Sequence, residues 1–186
     1  MSFNYNGTTL ASCGGDRLIK IFDTHHLRAS TVIPSHAAES IFVSVALNYG
    51  GERLLAGSTD RKVYIFQTES GKLLHSFPGH GDRVNSVTWS SNKEKCVSGS
   101  EDKQLKIWDI EKASNIFSIS CGKTVKTITS NNVEPVVYSG HGDGSVRVYS
   151  ITKGNTPVSQ VKGIIDFPIS SVTLLSNRHQ VLVSSL

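Results

Sequence analysis

Cysteine is scarce in this sequence. Cys13, Cys96 and Cys121 are odd in number, lie far apart, and are joined by no Cys-x-x-Cys or histidine-rich spacing. That argues against both a disulfide framework and a zinc site, and reduced thiols fit a cytoplasmic protein. No apolar run approaches the roughly eighteen residues a membrane-spanning helix needs. No basic region followed by an apolar core opens the chain, so nothing there reads as a signal peptide, and the Asn6-Gly7-Thr8 sequon carries no meaning without secretion. Charge is weakly positive, +4 from 19 Lys and Arg against 15 Asp and Glu, and no block of like charge gathers it. Neither nucleic acid nor a membrane surface is indicated by such a pattern. Long Ala/Leu/Glu/Lys stretches at helical spacing are missing too.

Present instead are short runs that alternate apolar and polar residues. Between Gly79-His80 and Trp108-Asp109 lie three of them, Val84 to Trp89, Lys95 to Ser100 and Gln104 to Trp108, with Asn115 to Ser120 beyond. Period-two alternation marks half-buried strands, and the intervening turns make the unit a four-stranded antiparallel meander of about forty residues. A Gly-His opening and a Trp-Asp close at that length are the signature of a propeller blade. The unit recurs. Turn acids Asp16, Asp60, Asp102 and Asp143 are 44, 42 and 41 residues apart. Six residues after each stands an aromatic (Phe22, Phe66, Trp108, Tyr149), preceded by Ile21, Ile65, Ile107 and Val148. Three residues after each acid come Ile19, Val63, Leu105 and Val146.

The expected fold is an all-β propeller with a partial blade at 1–34, blades at 35–78, 79–120 and 121–162, and a second partial blade at 163–186. Phe3 aligns with Leu47, at the end of a first strand. Aligning Ser184 and Ser185 with Ser139 and Gly140 places the next turn acid at about 188, by the repeat length. Propellers close with about four to eight blades, so the expectation is an incomplete ring of about four blades, a fragment of a longer protein with open strand edges. A four-bladed closure and the self-association of two open fragments are the alternatives.

Local motifs that suggest chemistry fail. Gly122-Lys123-Thr124 resembles the end of a phosphate-binding loop, but Phe117 stands where that loop needs glycine. His25, His26 and His36 have no acid or cysteine at ligand spacing and read as solvated loop residues. His141 reads as facing a partner or simply exposed. His80, Ser98 and Asp102 are the residue types of a hydrolase triad, but the serine has no nucleophile elbow and the set lies inside a repeat.

The stretch GHGDRVNSVTWSSNKEKCVSGSEDKQLKIWD resembles the WD-repeat family closely. That likeness implies a non-enzymatic scaffold. It implies a structural network of His80, Ser98, Asp102 and Trp108, running from the indole N–H through hydroxyl and carboxylate to imidazole. In the second unit Ala56 and Phe66 replace two of its members, so packing must hold that blade. The likeness also implies a partner-binding face carrying the turn between second and third strands and the start of the first strand. The residues concerned are Arg83, Asn85, Glu101, Ile41, Val43, Thr59, Lys126 and Ser170. A narrower resemblance, to the C-terminal propeller of the autophagy-related protein 16 family, rests on the strong third unit, the following SGHGDGSVRVYSI without Gly-His, and the I-x-S-V-x-L pattern after it. It implies protein partners, no cofactor, and a link to membranes only indirectly, through a complex in autophagosome assembly. The alternative function is substrate recognition for a ubiquitin ligase. Arg83 and Lys126 form no dense basic cluster for a phosphorylated degron, which counts against it.

Overall fold

In the computed structural model, which describes residues 1–26, 28–35, 39–90, 94–130, 134–152, 157–161, 166–174 and 180–185, the alternating runs become eighteen strands and no helix. The first sheet is β1 (Ser2–Phe3), β2 (Thr9–Cys13), β3 (Leu18–Asp23) and β4 (Arg28–Pro34). The second is β5 (Phe42–Leu47), β6 (Arg53–Ser58), β7 (Val63–Gln67) and β8 (Leu73–Phe77). In the third are β9 (Val84–Trp89), β10 (Lys95–Ser100), β11 (Gln104–Asp109) and β12 (Ser114–Ser120). The fourth holds β13 (Val125–Ser130), β14 (Val136–His141), β15 (Val146–Ser150) and β16 (Ser159–Val161), and the fifth β17 (Ile169–Leu174) and β18 (Val181–Ser185). Every sheet is an antiparallel meander in chain order. Successive sheets stack face to face, β5 on β9, β9 on β13 and β13 on β17, and the ring is not closed.

Because adjacent strand residues face opposite ways, the repeated positions divide between the two faces of each sheet. Ile19, Ile21 and Ile33 of the first sheet meet Phe42, Tyr64 and Phe66 of the second. Leu55, Val63, Ile65 and Phe77 of the second meet Cys96 and Trp108 of the third. Val97, Leu105, Ile107 and Ile119 of the third meet Val137 and Tyr149 of the fourth. In the second, third and fourth units the aromatic six residues after the turn acid (Phe66, Trp108, Tyr149) thus packs against the preceding sheet, and in the first three units the residue before it (Ile21, Ile65, Ile107) packs against the following one. Burying a side chain of this kind contributes roughly 1.5–3 kcal/mol.

One glycine per inner unit sets how closely the sheets approach. A Cβ at Gly99 would lie 2.5 Å from Val125 Cγ1 and 3.1 Å from Ile128 Cγ2; at Gly140 it would lie 2.5 Å from Ile169 Cγ2. The first strand of each following sheet therefore rests on bare backbone of the sheet before it.

The pairing corrects one alignment. Val172 pairs with Val183 as Ile128 pairs with Ser139, and Ser171 with Ser184 as Thr127 with Gly140. Val183, not Ser184, therefore stands at the Ser139 position, and Ser184 stands at Gly140. Ser184 and Ser185 both match the small residues Ser139 and Gly140 in type, but the bulge between Ile169 and Ser171 fixes the register. At the other end Phe3 pairs with Leu10 as Leu47 pairs with Leu54.

Overpacking at the sheet contact costs about 1–3 kcal/mol. Gly99→Ala is expected to lower unfolding stability by that amount in urea titrations. Gly15→Ala, where a Cβ meets nothing within 4 Å, is expected to change it by less than about 0.5 kcal/mol. Equal effects at the two sites would contradict the close-approach role.

Candidate functional site

The turn acids do the same local work in every unit. One carboxylate oxygen accepts the backbone N–H two residues on: Asp16 from Leu18 at 3.2 Å, Asp60 from Lys62 at 3.2 Å, Asp102 from Gln104 at 2.9 Å and Asp143 from Ser145 at 3.2 Å. A short acid closes a turn in this way. The next residue is left-handed each time, Arg17, Arg61, Lys103 and Gly144 with φ of 63°, 70°, 68° and 73°. The second oxygen takes a different partner in each unit: Lys20 Nζ at 2.7 Å, Tyr64 Oη at 2.5 Å, and an Arg147 guanidinium nitrogen at 3.1 Å, all four residues beyond the acid. The sequence reading missed these partners, although the fixed spacing between acid and donor was there to be read.

In the third unit that second oxygen instead holds His80. Trp108 Nε1 donates to Ser98 Oγ at 2.8 Å, Ser98 Oγ lies 2.7 Å from His80 Nε2, and His80 Nδ1 lies 2.7 Å from Asp102 Oδ2. The order is indole, hydroxyl, imidazole, carboxylate. The expected order placed the carboxylate before the imidazole. It is reversed because Asp102 is already committed to the turn at the sheet's end, and only the imidazole reaches from there to the buried hydroxyl. Burial holds the His80 imidazole below its ordinary pKa, despite Asp102. Asp102 is also held below its ordinary value: burial works to raise it, but His80 and the N–H groups of Gly81 and Gln104 outweigh that.

These contacts connect serine, histidine and aspartate as a hydrolase triad does. Yet Ser98 has 0% exposure, and its oxygen accepts a hydrogen bond from the indole N–H while its own O–H has the imidazole as partner. A nucleophile needs a position where a reacting atom can sit, and no such position exists beside a hydroxyl enclosed on every side. The arrangement satisfies buried polar groups.

The fourth unit rebuilds only the serine–imidazole link of the network, from another histidine, and its Nδ1 is left without a partner among the described residues. Cys121 stands in the His80 register. The imidazole comes from His141, 0% exposed, with Nε2 2.8 Å from Ser139 Oγ. The expectation of a surface or partner-facing His141 is corrected: as the last residue of β14 it turns inward to replace the missing histidine. Burial, reinforced by the nearby Arg147 charge, pushes its pKa down to about 4, so it is neutral at pH 7. Arg147, 9% exposed, ties Asp143 to the Cys121 carbonyl.

The surface residues expected to bind partners fall into groups. Lys126 Nζ lies 2.5 Å from Glu101 Oε1, and Arg83 Nε approaches the same oxygen at 4.0 Å. Arg83 Nε donates to Asn85 Oδ1 at 2.8 Å, and Asn85 Nδ2 donates to the Val125 carbonyl at 2.7 Å. Asn85 is 8% exposed, so it is a strut between third and fourth sheets and not a contact residue; its carboxamide is the right length to cap the incoming β13 backbone. Thr59 and Ile41 bond each other at 2.9 and 3.0 Å, and Val43 is exposed beside them. Ser170 sits apart, exposed on β17, 3.1 Å from Ser184. His26 Nδ1 lies 3.0 Å from Asp23, and His36 lies outside the described residues. Among the described residues no group of three His, Cys, Asp or Glu is placed to hold a metal ion, and no helix is long and apolar enough to cross a membrane.

Residues 1–23, 28–67 and 71–109, more than half the chain, match the family model described as WD domain, G-beta repeat. Autophagy-related protein 16 of Arabidopsis thaliana is 28% identical over 188 residues, covering 98% of this chain and 35% of that protein. Protein tipD of Dictyostelium discoideum is 30% identical over 189 residues, covering 100% of this chain and 30% of that protein. COMPASS component SWD3 of Saccharomyces cerevisiae is 28% identical over 179 residues, covering 90% and 55%. The chain therefore spans about a third of the first two relatives and about half of the third.

Removing Ser98 alone strands two buried groups, the indole N–H and the imidazole nitrogen, at about 1–3 kcal/mol each. The second unit shows the matched loss, with Ala56 and Phe66 together. Ser98→Ala is therefore expected to destabilise by roughly 2–4 kcal/mol, and Ser98→Ala with Trp108→Phe by clearly less than the sum of the two single changes. Additive losses in a double-mutant cycle of urea unfolding would show that the indole–hydroxyl bond is not a coupled pair.

Proposed function

This chain belongs to the WD-repeat family, and from that premise we propose that it is a non-catalytic adaptor which holds other proteins together through one face of its stacked sheets. The service we assign to it is autophagosome assembly, as part of a protein like autophagy-related protein 16. The observation that carries the docking reading is the connected patch in which Glu101 is bracketed by Lys126 and Arg83 across the seam of third and fourth sheets. Charged groups held in place by their neighbours give a partner a fixed pattern to meet. On the second sheet Val43, 37% exposed, adds an apolar contact, and few residues of such a face need carry most of the energy. The likeness to Autophagy-related protein 16 across 98% of the chain supports the choice of pathway. The buried serine of the third unit supports the absence of catalysis. Membrane association follows only through the complex.

The test is recovery of the tagged protein from cells, with bound proteins quantified by mass spectrometry. Autophagy components are expected to be retained, and to drop about fivefold or more for the Val43→Asp, Lys126→Ala double variant at an unchanged melting temperature. Ubiquitin-ligase subunits in their place, or equal recovery by both forms, would contradict the proposal.

A further inference from the structure

The end of β14 holds an imidazole where the two preceding units place a serine. His141 pairs with Val125 as Ser100 pairs with Val84 and Ser58 with Phe42. Its ring is 0% exposed and bonded through Nε2 to Ser139 Oγ at 2.8 Å, while Nδ1 is buried with no hydrogen-bond partner among the described residues. The β14–β15 turn hangs on the same residue. His141 N donates to the Ser145 carbonyl at 3.0 Å, and Gly144 N donates to the His141 carbonyl at 3.2 Å.

The groups around the ring decide how it meets a proton. In the third unit Asp102 lies 2.7 Å from His80 Nδ1, so a charge on that ring has its counter-ion in place. In the fourth unit Asp143 is engaged elsewhere, Oδ1 by the Ser145 hydroxyl at 2.6 Å and Oδ2 by Arg147 at 3.1 Å. From the segment before β13 come the Cys121 thiol, which burial keeps neutral, and the carbonyls of Lys123 and Thr124. From β13 comes Lys126, paired with Glu101 of the third sheet, and β17, packed on Gly140, brings no titratable side chain. Asp143 and the two carbonyls favour a charged ring, but burial and the Arg147 cation outweigh them. A second cation enclosed beside a guanidinium is poorly screened and costly.

We propose that His141 is a proton-operated latch: neutral, it pins the end of β14 to Ser139, and once protonated it leaves the interior and frees the β14–β15 turn. The release reaches the surface at Lys126. Gly142 N donates to the Thr124 carbonyl at 3.1 Å, and a Cβ on Gly142 would lie 3.7 Å from Lys126 Cε. The segment that His141 anchors is therefore a support under the Lys126–Glu101 pair, and its opening loosens that pair in acid. Only the meaning of this loosening for a partner rests on the adaptor reading. An opened ring regains its ordinary value of 6.5, whereas the enclosed ring is held at about 4. The open form thus takes up the proton first, and stability present above about pH 6.5 is lost as pH falls toward 4. From pH 7 to pH 5 the open population is expected to rise about twentyfold.

The test is made on the protein alone. Amide exchange, corrected for the intrinsic effect of pH on exchange, gives protection factors for residues 139–147. Protection is expected to fall about twentyfold from pH 7 to pH 5 in the unaltered chain, and less than about threefold in His141→Gln, whose amide does not titrate. The imidazole signals, followed by NMR over the same range, are expected to show no titration of the folded His141 ring above about pH 5. In Arg147→Gln, which removes the cation, that ring is expected to titrate at higher pH. The ring titration of the unaltered protein decides the matter by itself should either variant fail to fold. A folded ring that titrates near its ordinary value, an equal fall in protection in His141→Gln, or an unchanged ring in Arg147→Gln would overturn the latch. Neither measurement involves a partner, so the latch and the docking proposal fail separately.

Discussion

The distance between one sheet and the next is the constraint on which the other features depend. Gly57, Gly99 and Gly140 hold the same position in three successive sheets, and each leaves room for a valine or isoleucine that opens the following one. Aromatic side chains fill the remaining depth of the interfaces: Phe42, Tyr64 and Phe66 between first and second sheets, Phe77, Trp89 and Trp108 between second and third, and Tyr149 between third and fourth. A sheet in such a stack gains little by itself; it is stabilised by what covers its two faces, and so the repeat carries the energy as nearest-neighbour terms.

Within that frame the polar interior is a local choice. The turn acid gives one oxygen to its own turn in all four units and offers the other to whatever the unit supplies. Lysine, tyrosine, arginine and histidine each take it once. Only when histidine takes it does the chain of bonds continue through serine to an indole. In the fourth unit the imidazole arrives from the end of β14 instead of the loop before β13, and the hydroxyl of Ser139 is satisfied all the same. Different residues satisfy the same buried serine hydroxyl in the two units, although His141 Nδ1 and Arg147 Nε are left without a hydrogen-bond partner among the described residues, and the Ser-His-Asp contacts of the third unit serve that satisfaction.

Strand positions, sheet order and the direction of the repeated apolar residues were legible in the sequence because each depends on period two and a repeat near forty residues. The partners of the turn acids were half legible: the acids stand out by their regular spacing, whereas the donors four residues on change type from Lys20 to Tyr64 to Arg147. Three features lay beyond it. His141 reads as exposed because a histidine after glycine near a turn usually is, and only the missing Gly-His of its own unit hints otherwise. The off-by-one at Ser184 arises because Ser184 and Ser185 are both small residues that suit the Ser-Gly step of the other units, and a bulge decides between them. A cleft between first and second sheets joins Asp23, Glu52 and Glu69, which no local pattern brings together.

Two ends of the same stack thus carry different chemistry: a charged patch tied across the seam of third and fourth sheets, and the cleft lined by Asp23, Glu52 and Glu69 between first and second. Both exist because neighbouring sheets are held at a fixed spacing. Amide hydrogen exchange along the whole chain tests that spacing as the source of stability. The central hairpins β6–β7, β10–β11 and β14–β15, covered on both faces, are predicted to exchange most slowly. The hairpins β2–β3 and β17–β18, each with one face uncovered in the open stack, are predicted to exchange faster. Uniform protection across all five sheets, or the slowest exchange in β17–β18, would contradict the account.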